Sequence, residues 1–134
     1  MKTYIKITFA SLFILISAAR CSNDFPIDED GLLITSRAQC YVSNFELLGN
    51  DFLTVRTKNS LIDTTAQTID VEVKFGTDLK NLYPQFNLVT DAKLDPKITG
   101  KVDFSDLANP KQYTVVSGNR QVRKTYTIKV TVQP

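Results

Sequence analysis

The sequence predicts an all-β fold, an immunoglobulin-like antiparallel β-sandwich of about seven strands, after a cleaved N-terminal signal peptide. Three observations carry this expectation. Apolar and polar residues alternate with a period of two in run after run beyond Gly31. Glycine, asparagine, aspartate and proline punctuate those runs at short intervals, as turns between strands do. No window past the first thirty residues holds a helical stripe for ten residues or more.

The chain opens with Lys2 and Lys6 ahead of an apolar run, Ile7 to Ala19, of 13 residues. A spanning helix needs roughly 20 apolar residues, so the run reads as the core of a secretory signal. Residues 1–20 are therefore assigned to a lipoprotein signal peptide, with Cys21 as the lipidated first residue of the mature chain. Arg20 stands where lipoprotein signals carry a small residue. Ser17 and Ala19 equally suit an ordinary cut after Ala19 that releases an unlipidated protein. Removal of residues 1–20 takes three of the 16 basic residues and none of the 14 acidic ones. The net charge moves from +2 to −1. A near-neutral domain lacks the concentrated positive field that nucleic acid demands, so no nucleic-acid partner is expected.

Residues 21–30 hold Asp24, Asp28, Glu29 and Asp30 around Pro26 and show no periodicity. They read as a solvated acidic tether between membrane and domain. The domain itself is assigned to residues 31–134. In its first run Ala38, Cys40 and Val42 share one parity and Phe45 and Leu47 the other. A bulge near Ser43–Asn44 brings both groups to one core. The Gly49-Asn50-Asp51 turn then suggests a hairpin over residues 40–57. In TIDVEVKF, Ile69, Val71, Val73 and Phe75 form one row against Asp70, Glu72 and Lys74. Phe86 and Leu88, then Tyr113 and Val115, continue the pattern. The closing TYTIKVTV sets Tyr126, Ile128, Val130 and Val132 inward. The proline-bounded pieces DLKNLYP and FSDLANP read as single helical turns, with Leu79, Leu82, Phe104 and Leu107 plugging the sandwich ends.

Little in the chain carries chemistry. There is no histidine, which removes the usual general base and the commonest zinc ligand. Asp70 and Glu72 lie on the wet face of a regular strand beside Lys74, so they do not form a hydrolytic carboxylate pair. Asp91, Asp95, Asp103 and Asp106 crowd the middle of the chain without calcium-loop spacing. No catalytic residue, metal or cofactor is expected, and the protein reads as a non-enzyme. Cys40 is left without a partner if Cys21 is acylated, and a lone cysteine is commonly a small buried hydrophobe. Without acylation a Cys21–Cys40 bridge is open to it. Arg120, Arg123 and Lys124 beside the Gly118-Asn119 turn read as a wet hairpin tip. Tyr41, Phe52 and Tyr83 fall off the clean inward rows. They are the candidate ligand contacts, and each also suits a packed edge or loop aromatic.

The segments LLITSRAQCYVSNFELLG, IDVEVKFGTDLKNLYPQFNLVTDAKLDP, VDFSDL, YTVVSGN and KTYTIKVTV together resemble a domain family of unknown function. Its members are immunoglobulin-like sandwiches in Bacteroidota cell-surface lipoproteins, often within or beside glycan-utilisation systems. The resemblance covers about residues 31–134. Its best marks are the F-G-T-D-L-x-x-L-x-P run and the closing Y-T-I-x-V-T-V strand. It implies an outer-membrane, lipid-anchored, cell-surface location and a binding or spacer role, with no site residue to carry over. Acidic residues directly after Cys21 suit such surface lipoproteins as well as a plain linker. Because the chain ends at Pro134 directly after its last strand, binding of a glycan or an outer-membrane protein is favoured over spacing. The alternative is a structural or adhesin-like subunit that assembles by β-strand addition.

Overall fold

The computed structural model describes residues 26–134. The signal peptide, Cys21 and the first part of the acidic tether lie outside the described residues. Seven strands follow one another: β1 (Val42–Leu48), β2 (Leu61–Asp63), β3 (Thr68–Val73), β4 (Tyr83–Leu88), β5 (Lys93–Leu94), β6 (Lys111–Val116) and β7 (Arg123–Val132). They make a two-layer sandwich. A small sheet pairs β1 with β4, and a five-stranded sheet runs β2-β3-β7-β6-β5. All pairs are antiparallel except β3 and β7, which run parallel from Thr68↔Thr127 to Val73↔Val132.

The inward rows form the core between the layers. Ile69, Val71 and Val73 from β3 meet Tyr126 and Ile128 from β7 and Val115 from β6. Cys40, Val42, Phe45 and Leu47 close over them from the small sheet side. The expected irregularity in β1 is present. The β1–β4 register shifts between Val42 and Asn44, which inserts one residue and reverses the parity. Val42, Phe45 and Leu47 are consequently all buried. The rings of Phe45 and Phe86 meet edge to face at 4.8 Å, and Phe86 meets Tyr113 at 5.1 Å. The first contact lies within the small sheet, and the second couples the two sheets. Cys40 is buried, and its Sγ lies 3.2 Å from the Val115 carbonyl oxygen. Burial pushes its thiol pKa up.

Several local expectations are corrected. Phe75 does not continue the inward row. β3 ends at Val73, and the Lys74–Thr77 turn, closed by Thr77 onto the Lys74 carbonyl, carries Phe75 to 80% exposure. Val132 likewise lies exposed at the far end of β7. Residues 40–57 do not form a full hairpin: β4 pairs along one edge of β1, and the returning segment meets the other edge only beside the turn. The returning segment touches β1 at the Leu48↔Thr54 bridge and crosses to the large sheet at Arg56↔Val73. Neither proline-bounded piece is helical. Asp78 and Asp103 instead cap turns through their own carboxylates, accepting from Lys80 N and Ser105 N. Leu82 bridges Val102. Leu82 and Phe104 are buried and Leu79 is half-buried, whereas Leu107 points outward.

The strands define two poles. The β6–β7 hairpin tip, Ser117–Val122, and the N-terminal segment share one pole, where Thr35 N donates to the Gly118 carbonyl and Asn119 N to the Arg37 carbonyl. The Gly49–Leu53 loop, the Lys74–Thr77 turn, the start of β4 and the end of β7 share the other. There Lys74 N donates to Val55 O and Gln133 N to Val73 O.

Candidate functional site

The second pole gathers two of the three sequence-flagged aromatics. β1 ends at Leu48, opposite Tyr83 at the start of β4. The chain then reverses through a tight loop in which Phe52 N donates to Gly49 O and Gly49 N to Leu53 O. The Asp51 carboxylate accepts from Leu53 N at 3.1 Å. Phe52 sits at the bend with φ of 60°, a left-handed conformation that costs a non-glycine residue about 1–2 kcal/mol. The bend turns its ring onto Tyr83, with centroids 4.7 Å apart and planes 26° from parallel. Lys101 Nζ lies over the Tyr83 ring at 5.8 Å from its centroid, a cation–π distance. Phe52 and Lys101 thus both pack on the Tyr83 ring. Tyr83 is half-buried, and the exposed ring of the pair is Phe52, 63% exposed. Leu53 and Phe75 are also exposed at this pole.

Tyr41 does not join them. It precedes β1, at the Val42↔Leu88 end of the small sheet, and its carbonyl accepts from Val89 N. The length of β1 separates it from the stack, about 20 Å at the usual strand rise. Sequence reasoning flagged Phe52 and Tyr83 singly. It missed Lys101, which no local pattern marks and which the Leu82↔Val102 bridge brings into place.

The acidic segment after Pro26 is also placed. Ile27 bridges Leu33, and the Asp28 carboxylate accepts from Leu32 N and Asp30 N in a tight turn. That turn drives Asp28 against the sandwich until its side chain is 3% exposed. There it meets Lys93 Nζ at 2.7 Å and Arg120 Nε at 3.0 Å, while Asp30 reaches the same ammonium at 2.7 Å. The Lys93 hydrogen bond holds the Asp28 carboxyl well below the usual carboxylate range. Hydrogen bonds from Lys93 to Asp28 and Asp30 hold the ammonium above the usual lysine range. Residues 26–30 therefore clasp the domain. Arg120 is committed as well: its guanidinium also donates to the carbonyls of Leu33, Ser117 and Gly118.

Other acidic groups of the loops are also paired. Asp91 meets Arg37 and Asp95 meets Arg123. Asp106 accepts from Asn109, and Asp103 from Ser105. Among the described residues no three carboxylate or cysteine groups converge. A concavity of about 450 Å³ runs along β4 between Phe86 and Leu88 on one side and Leu94 and Ile98 on the other, with Lys97 on its wall.

The fold defines the class: an all-β domain of seven strands in two sheets, with an exposed aromatic stack at one pole. The family model described as "SGBP, N-terminal" matches residues 50–130. The chain belongs to that family. A crystal structure from Bacteroides thetaiotaomicron, provisionally named a glycoside hydrolase, is 30% identical with a TM-score of 0.59, covering 72% of this chain and 26% of that one. A protein of a domain-of-unknown-function family from Bacteroides eggerthii shares the fold at 19% identity and a TM-score of 0.52. It covers 72% of this chain and 22% of its own. This chain thus spans about a quarter of the length of those proteins. No curated protein of similar sequence was found.

Proposed function

We propose that this chain is a non-enzymatic interaction domain displayed at the cell surface, where it assists glycan capture. The observation that carries the reading is the Phe52–Tyr83 stack, held exposed at one pole by a left-handed backbone. Backbone strain and an outward aromatic face are features that packing alone does not select, and they cluster at ligand sites. A sugar ring offers the flat C–H face that stacks on such a ring. The family is one of starch- and glycan-binding proteins, which fits the same chemistry. Phe52 is the contact, and Tyr83 supports it from behind. Tyr41, at the opposite pole, is outside this site. The outer-membrane location rests on the signal segment and on Cys21 as the lipid-bearing residue. It places the N-terminal clasp nearest the membrane and the aromatic pole away from it.

The test is affinity electrophoresis of the full mature chain against a panel of soluble polysaccharides. Phe52→Gly relieves the strained φ, so the thermal midpoint holds or rises while glycan retardation weakens at least about tenfold, as loss of a central aromatic contact does. Retardation by no polysaccharide, or retardation unchanged by Phe52→Gly, defeats the reading. The mass of the mature N-terminus tests the anchor: a diacylglyceryl adduct on Cys21 is expected, and an unmodified chain beginning at Arg20 excludes it.

A further inference from the structure

The outer edge of β4 is an unfinished ladder. Along β1 the carbonyls of Leu47 and Phe45 turn away from β4, the first to Val55 N at 3.0 Å and the second to Arg56 Nη1 and Ser60 Oγ at 2.7 and 2.8 Å. Main-chain direction alternates along antiparallel strands. The residues opposite them, Pro84 and Phe86, therefore turn their main-chain groups away from β1, as Leu88 does two residues on. Leu82 has the same parity, and its outward N–H and carbonyl are both taken by Val102, at 3.2 and 2.8 Å. The ladder stops there. Chain 94–98 stands off from β4 instead of continuing the pairing, and the 450 Å³ groove is the gap. Among the described residues the N–H and carbonyl of Phe86 and Leu88 have no main-chain partner across that gap.

We propose that this groove receives an extended segment of a partner protein, which adds to the small sheet as a third strand beside β4. The groove's chemistry names the segment. Free donors and acceptors at alternate residues call for a peptide backbone. Leu32, Phe86, Leu94 and Ile98 call for apolar side chains at alternate positions of the guest. The charge on its wall calls for a carboxylate. Lys93 is already neutralised by Asp28 and Asp30, whereas Lys97 has no carboxylate within salt-bridge distance among the described residues. A neutral glycan would leave both Lys97 and the strand edge unanswered, so this site is separate from the aromatic pole and stands without the glycan reading. The free edge from Pro84 to Leu88 extends about 17 Å, which a guest of roughly five or six residues fills.

The probe is the synthetic peptide acetyl-Thr-Val-Glu-Val-Thr-Val-amide, titrated into the full mature chain and followed by amide chemical shifts. Saturable shifts confined to residues 84–98 are expected. Replacing the peptide's glutamate with lysine, or Lys97 with Glu, weakens binding about tenfold, and pairing the two changes restores it. That restoration separates a direct contact from a folding defect. Leu88→Pro removes one groove-facing N–H and abolishes the shifts. No saturation at millimolar peptide, shifts centred on Phe52, or no charge-swap rescue overturns the proposal. Sedimentation that shows the chain dimerising, with the dimer lost in Leu88→Pro, overturns it in favour of a second copy as the guest. Oligosaccharide shifts in residues 84–98 overturn it in favour of a sugar.

Discussion

Asp28 shows how one residue's surroundings set its energetics. Its carboxylate accepts from Lys93 and Arg120 and from two main-chain N–H groups, with almost no solvent contact. Its folded-state pKa is depressed. The stability it adds is therefore present above the ordinary carboxylate pKa near 4 and is lost as pH falls through the depressed value. Lys93 is shifted upward. Its contribution is complete below the ordinary lysine value and fades only as pH climbs through the raised one. The clasp is thus fully formed across neutral pH. Asp28→Asn lowers the thermal midpoint at neutral pH and flattens its decline on acidification. Melting curves between about pH 7 and pH 3 check this, and parallel declines in the two proteins would contradict it. Sequence could not have found this clasp. The acidic run looked solvated because its partners lie 63 and more residues away, and nothing local marks Lys93 as theirs.

At the scale of elements, alternation was legible wherever a strand has one wet face. Ile69, Val71 and Val73, and Tyr126 and Ile128, are inward as their period demands. The β1 bulge was legible too, because two parities in one short apolar run reach the same core only when the strand gains a residue between them. Strand ends were not. Phe75 keeps the period but lies past the last paired residue, where the backbone has already turned. Partner choice was equally hidden: β1 pairs along its length with β4, while the segment directly after it reaches only the turn end of the other edge, since the ladder follows layer packing and not loop length. One turn is tested sharply by Gly118. A Cβ there would lie 2.5 Å from Thr35 Oγ1 and 2.9 Å from Asp91 Cβ. The N-terminal segment is laid directly on the hairpin tip. Gly118→Ala destabilises the domain by about 1–3 kcal/mol, the usual range for overpacking, as denaturant unfolding will read. A loss near zero would mean that the strap moves aside freely.

For the whole molecule, the sandwich of about seven strands follows from the sequence, and the parallel β3–β7 pair does not. Alternation fixes which face is wet and is blind to strand direction. That pair makes β7 the spine of the larger sheet, bonded to β3 on one side and β6 on the other. Amide exchange is therefore slowest in β7 and β3, and fastest in β2, β5 and the Gly49–Leu53 loop. Equal protection of β5 and β7 would refute that ordering. The candidate site was legible only in part. Phe52 and Tyr83 stood out singly, while their stacking depends on a strained loop and on the pairing of Tyr83 with Leu48, far apart in the chain.

The placement of the two poles has a mechanical consequence. A load applied between the N-terminal clasp and the aromatic pole runs along the continuous backbone that joins them, with β1 as its straight span. The β1–β4 hydrogen bonds lie across that direction. Tension between an anchor at one pole and a ligand at the other is therefore carried by covalent bonds, and the sheet ladders need not open for the domain to hold its load.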